Sequence, residues 1–331
     1  MDKEDYRSET YSAIVKLWTQ EREMLGVVQP YTASKAGQKA LLLAPYIDVP
    51  IEEIDAASIR HAIIELRQHG GRSNRGLSSA TLRAAHLAGK QAIDWAIAQG
   101  ASISNPFCDV KRPKANYRQA RFLTLGQATM ISSQLIVAMK EYMNEGEVQL
   151  ASFALAACIA LATGMRRGEI FALEWCACNF KTMRINVSQA VKADGSVGTP
   201  KSISGVRSIA IGVRLSTLMN EMRDWRERIL PTCNGDDNKP VICKETGYRA
   251  NLDIFEHWWR SWADDNGWEG LRFHDLRHTH ATLLISGGTD VKTVQMRLGH
   301  SSADITMNCY AHAIPLSDTS AAASIDSSLF G

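Results

Sequence analysis

No glycine-rich nucleotide loop, no paired C-x-x-C and no long apolar run occurs in these 331 residues. Lack of the first excludes a phosphate cradle of the nucleotide-binding kind. The seven cysteines, at 108, 158, 176, 178, 233, 243 and 309, are odd in number and scattered. That pattern excludes a disulfide framework and predicts a reducing, cytoplasmic setting. The longest uncharged, mainly apolar run, Leu150–Met165, is sixteen residues and contains Ser, Thr and Gly. It is too short to span a bilayer and predicts a buried helix, so no membrane is expected as a partner. The acidic, polar start MDKEDYRSET predicts no signal peptide. Excess charge of either sign is also missing. The net charge is +2, and residues 1–117 hold 15 basic against 13 acidic side chains. A surface for a polyanion therefore has to come from charge segregation.

What is present is mostly helical periodicity, in a chain long enough for two domains. YRSETYSAIVKLWTQEREML places Ile14, Leu17 and Trp18 at helical spacing. TASKAGQKALLLAPYI predicts a second helix broken by Pro45, and a third is capped near Asp55 and stopped by Gly70–Gly71. In a fourth, capped by Ser78 or Ser79 and stopped at Gly100, Leu82, Ala85, Gly89, Ala92 and Ala96 trace one seam. Arg83, His86 and Lys90 trace another stripe, either a solvated face or a polyanion contact. The stretch from Pro106 to Arg121 gathers Lys111, Arg112, Lys114, Arg118 and Arg121 around Pro113, and predicts a basic linker over 111–122. Thr124 and Gln127 then form a capping-box pattern. Between 182 and 212 the period turns strand-like: Met183, Ile185 and Val187 alternate, Asp194–Gly195 is a hairpin turn, and VRSIAI supplies a last strand. Helices are predicted again over 214–229, 252–266, 274–286 and 292–298, followed by a polar, loosely held tail. Trp258, Trp259, Trp262 and Trp268 are read as helix packing.

FHDLRHTHATLL at 273–284, LGHSS at 298–302 and TMNCYAH at 306–312 set out His274, Arg277, His300 and Tyr310 within a short stretch. On a helix His274 and Arg277 share a face. An arginine fork neutralises phosphate oxygens, imidazoles move protons, and a tyrosine can carry a covalent phosphodiester. His274 and His278 also have a metal-ligand spacing. HDLRH, however, lacks the glutamate or third ligand that a zinc site wants, and Arg277 would set a cation beside the ion. Upstream, TGMRRGEI places Arg166 and Arg167 after Gly164, with Glu169 three residues beyond Arg166 and able to fix its guanidinium. On residue type alone Arg167 serves as well as Arg166. Lys201 lies in the Ser/Gly-rich GTPKSISG, with Lys192 as a rival.

These motifs, in this order, resemble the tyrosine recombinase (phage integrase) family over about residues 120–315, and NPF at 105–107 extends a looser likeness into the first domain. The resemblance implies a mainly α fold. An all-helical, SAM-like core-binding domain (1–110) would precede a mostly helical catalytic domain (123–331) with a small antiparallel sheet. It implies site-specific cutting and rejoining of duplex DNA through a 3′-phosphotyrosine, integrating or excising a phage or other mobile element. A chromosome-dimer-resolving recombinase and a type IB topoisomerase share that chemistry, and a catalytically idle DNA-binding regulator is the remaining alternative. By resemblance Tyr310 is the nucleophile, Arg166 and Arg277 clamp the phosphate, and Lys201 is the general acid. His274 assists proton transfer, His300 donates to the phosphate, and Glu169 is a supporting residue. DNA contacts are assigned to Arg72, Arg75, Arg83, Lys90, Lys111, Arg112 and Lys114. No metal and no cofactor are expected. Expected partners are double-stranded DNA, further copies of the chain in a tetramer on two DNA sites, and accessory directionality or DNA-bending proteins. The segment after Tyr310 is the expected contact between subunits. Long integrases carry an arm-binding module ahead of the core-binding one, whereas here helices of core-binding type begin close to Met1, which implies a simpler kind or a chain without that module.

Overall fold

The computed structural model describes residues 6–71, 74–114, 121–200, 203–230, 236, 238–300 and 315–330. The chain divides into two compact units, Met1–Gln119 and Ala120–Gly331.

In the first unit every element among the described residues is helical. α1 (Tyr11–Met24) is capped by the Thr10 hydroxyl, which accepts from the Ala13 N–H. α2 (Pro30–Ala40) and α3 (Ala44–Ile47) replace the one helix expected before Pro45. α2 stops at Ala40 and Pro45 sits in the first turn of α3, where its missing N–H costs nothing. α4 (Ala56–His69) is capped by Asp55 and α5 (Ser79–Ala98) by Ser78. Leu82, Ala85, Gly89, Ala92 and Ala96 line the buried side of α5 as their spacing predicts. Phe107 of the NPF turn is buried in the same core as Tyr11 and Trp18, and Asn105 holds that turn by accepting from the Phe107 N–H.

The second unit is built around α7 (Val148–Thr163), which follows α6 (Leu125–Glu145). The capping box of Thr124 and Gln127 starts α6. α7 is buried along nearly its whole length, which explains its uniformly apolar composition. α8 (Arg167–Ala172) leads to β1 (Cys178–Asn179), β2 (Arg184–Val187), β3 (Ala190–Val191), β4 (Val197–Gly198) and β5 (Arg207–Ala210). β2 lies between β1 and β5, both antiparallel to it, with Ile185 opposite Ile209. Asp194–Gly195 turns the separate hairpin of β3 and β4. Ile185 and Val187 face the core and Met183 packs partly buried against it, as the alternation expects. Its φ of 55° puts it in a turn ahead of the strand.

α9 (Val213–Ile229), α10 (Leu252–Asp265), α11 (Phe273–Ser286) and α12 (Val291–Leu298) complete the packed helices. Trp259, Trp262 and Trp268 are buried in the core and Trp258 packs partly buried against it. The expected loose tail is instead a helix, α13 (Pro315–Phe330), whose exposed side chains include Ile325, Leu329 and Phe330. Its alanine-rich middle and an acidic residue in the first turn favour helix without help from packing. No helix among the described residues is long and apolar enough to cross a membrane.

Candidate active site

α7 ends where its apolar run ends, at Gly164 in the left-handed conformation (φ 68°). A Cβ there would stand 2.6 Å from Leu298 Cδ2 and 2.7 Å from His280 Cδ2, so the close approach of α11 and α12 also requires glycine. Two residues later Arg166 opens α8. Its backbone N–H and its Nη1 both donate to Glu169, at 2.8 and 2.9 Å. Its Nη2 donates to the Gly299 carbonyl at 2.9 Å. Arg167 turns the other way and pairs with Glu256 on α10. The two adjacent arginines are thus separated by the turn of the helix.

α11 supplies the second guanidinium. Arg277 is 3% exposed, and its Nη1 and Nη2 donate to the carbonyls of Gly164 (2.6 Å) and Leu298 (2.7 Å). His274 stands one turn earlier, its ring edge-on to His278 at 4.9 Å. Loss of hydration pushes the His274 imidazole down to about 4, reinforced by His278 and the Arg277 charge. His300 follows the end of α12 and is pushed down to about 3, first by loss of hydration and then by the Arg277 and Arg166 charges. Both imidazoles are therefore neutral at pH 7. His278 is shifted the same way by desolvation. His280 is structural: it sits buried, donates Nδ1–H to the Leu161 carbonyl (2.9 Å) and accepts from Arg297 Nε at Nε2 (3.0 Å).

Glu169 is 2% exposed and anionic. Burial alone pushes its carboxyl up, but the Arg207 hydrogen bond and charge, followed by Arg166, outweigh that and hold it below the usual range. Arg207 of β5 is the supporting residue that motif reading did not single out. Its signal was present, because it shares the inward face of β5 with Ile209, two residues on. The site thus gathers the guanidiniums of Arg166 and Arg277, with Arg207 held behind them on Glu169 and neutral imidazoles beside them, an arrangement suited to an anion such as a phosphodiester.

Tyr310, Lys201 and Arg72 lie outside the described residues. Lys192 is exposed at the end of β3, and β3 runs against α8, its Val191 carbonyl pressed on Gly168. In the first unit Arg75, Lys111, Arg112 and Lys114 are exposed. Arg83 donates to the Pro113 carbonyl at 3.4 Å and Lys90 pairs with Asp94 at 2.7 Å. His86 departs from its stripe. It is 3% exposed, bonded to the Val110 carbonyl at 3.0 Å and set edge-on to Phe107, so it belongs to the core and not to a solvated or DNA-facing row.

Residues 130–315 match the model of the phage integrase family. The chain is 32% identical over 163 residues to the ICEBs1 integrase of Bacillus subtilis, covering 47% of this chain and 44% of that one. It is 27% identical over 264 residues to a XerC-like tyrosine recombinase of Caldanaerobacter subterraneus, covering 75% of this chain and 66% of the relative. The chain thus spans less than two thirds of either relative. Among solved structures it is similar to the Tn1549 transposon integrase in complex with transposon right-end DNA. That match has a TM-score of 0.71 and 22% identity, and covers 96% of this chain and 99% of the other. A lambda integrase tetramer bound to a Holliday junction matches with a TM-score of 0.65 and 18% identity, over 91% of this chain and 77% of that one. The mainly helical fold with small antiparallel sheets is that of these integrases, and the chain belongs to the phage integrase family.

Proposed function

We propose that this chain is a site-specific DNA recombinase of a mobile element, cutting and rejoining duplex DNA through a phosphotyrosine. The observation that carries the reading is the convergence of Arg166 and Arg277 on one turn ahead of His300, with Glu169 fixing the first guanidinium. Two fixed cations suit the extra negative charge that a phosphodiester gains as it becomes pentavalent.

In the proposed reaction the Tyr310 oxygen attacks phosphorus, its proton passing to His274, which is neutral and able to accept it. The bond from phosphorus to the 5′ oxygen breaks, and Lys201 protonates that departing oxygen to give a free 5′-hydroxyl. His300, also neutral, donates its N–H to a non-bridging oxygen. Joining runs the same steps backwards with a 5′-hydroxyl from the other strand as nucleophile. Because the phosphotyrosine diester keeps the energy of the broken bond, no ATP enters. Arg72, Arg75, Arg83, Lys90, Lys111, Arg112 and Lys114 hold the duplex through its phosphates. Four copies act together, as in the lambda integrase tetramer bound to a Holliday junction; on the same reading they occupy two DNA sites in the cytoplasm, with accessory proteins setting direction.

The test is covalent capture. The full chain is mixed with a library of nicked duplexes of random sequence, and DNA that stays attached under denaturing conditions is sequenced. A recovered site that gives an adduct with the wild type and none with Tyr310→Phe supports the reading. An adduct that persists in Tyr310→Phe overturns it.

A further inference from the structure

α12 ends at Leu298, and the carbonyls at a helix C-terminus have no partner within the helix. Three arginines from three other elements take three successive carbonyls there. Arg207 Nε donates to Arg297 O at 2.6 Å, Arg277 to Leu298 O at 2.7 Å and Arg166 to Gly299 O at 2.9 Å. Cations at the negative end of a helix are favourable, and each guanidinium also fixes the backbone leading into His300.

Arg207 Nη1 and Nη2 also grip both oxygens of Glu169, at 3.1 and 2.8 Å, and Nη1 reaches the Gly205 carbonyl at 2.8 Å. Its side chain is 7% exposed, against 39% for Arg166. Arg277 is buried too, with both Nη atoms on carbonyls, but Arg207 alone of the two also grips the carboxylate that holds Arg166. All three Arg207 nitrogens thus have protein partners, and its fork is committed inside the fold. Glu169 in turn holds the Arg166 backbone and guanidinium. One residue therefore ties the start of α8 to the end of α12.

We propose that Arg207 is a positioning residue, which sets the Arg166 guanidinium and the turn before His300 in a single register without itself touching DNA. The inference rests on Arg166 being a phosphate clamp. It predicts that altering Arg207 slows the chemical step and leaves duplex affinity nearly unchanged.

The experiment uses the full chain and the duplex recovered by covalent capture, with affinity read by fluorescence anisotropy and cleavage by single-turnover adduct formation. Arg207→Met is expected to cleave about 100-fold slower, the loss typical of a displaced transition-state donor, with duplex Kd within about threefold. Arg207→Lys, which keeps the cation but not the fork, is expected about 10-fold slower and folded by circular dichroism. If Arg207 acts through Glu169, the double variant Arg207→Met/Glu169→Gln cleaves no slower than the worse single variant. Two results overturn the inference: a folded Arg207→Lys that cleaves at the wild-type rate, or losses from Arg207→Met and Glu169→Gln that multiply. An adduct surviving Tyr310→Phe is a separate failure, that of the parent reading, and is scored in the same assay.

Discussion

Arg166 and Arg277 donate to neighbouring carbonyls of one turn, Gly299 O at 2.9 Å and Leu298 O at 2.7 Å. The chain thereby fixes the spacing of two cations before any anion arrives. Their mutual repulsion is offset by backbone dipoles and by Glu169, so the arrangement costs no reorganisation when charge develops on a bound phosphate.

The neighbouring arginines should separate cleanly in function. Arg166→Ala is expected to lower single-turnover adduct formation by about 100-fold or more. Arg167→Ala breaks a half-exposed pair with Glu256, worth at most about 1 kcal/mol, and should leave that rate within about threefold. Equal losses from the two variants would refute the assignment.

Arg277→Lys removes a fork that serves two buried carbonyls at once. The variant should lose both cleavage and stability, the latter by about 1–3 kcal/mol for a carbonyl left without a donor. Urea unfolding monitored by circular dichroism measures the second effect independently of DNA.

Gly164 and Gly146 are both left-handed helix ends, with φ of 68° and 80°, but only Gly164 is crowded. Gly146→Ala should cost about 1 kcal/mol for backbone strain alone. Gly164→Ala adds a clash with Leu298 and His280 and should cost about 1–3 kcal/mol more. Matching midpoints in denaturant titrations of the two variants would contradict the close approach of α7 to α11 and α12.

Acid should weaken the fold through its buried imidazoles. His280 is held down to about 4 by loss of hydration and then by Arg297, whereas the unfolded chain protonates near 6.5. Between those values the unfolded state binds more protons. Stability is therefore complete above about pH 6.5 and falls as pH drops towards 4, by an amount on the order of a few kcal/mol. His280→Gln, which can still donate to Leu161 and accept from Arg297, should flatten the fall in Tm between pH 7 and 4. An unchanged slope would remove His280 as its source.

Much of the helical framework was legible because amphipathic spacing and caps are local. Asp55, Ser78 and the Thr124–Gln127 pair start their helices as expected. Failures occurred where local preference met a neighbour or a special backbone angle. Met183 kept its core-facing side but entered a positive-φ turn just ahead of the strand. His86, on a stripe that reads as polar, turned inward to serve the Val110 carbonyl. The helix over 315–330 is a different case: its local alanine-rich composition favours it without a neighbour, which polarity alone does not reveal.

The sequence by itself determined the helices and the family, because periodicity, caps and motif order are properties of neighbouring residues. It also placed Arg166, Glu169, His274, Arg277 and His300 among the candidates by residue type. Only the tertiary structure decided which of two adjacent arginines turns to the α12 end. It also decided that His280 is a strut and that Arg207 closes the bridge between α8 and α12. Those outcomes depend on which carbonyls lack donors once helices pack, and that is settled by chain segments far apart in sequence.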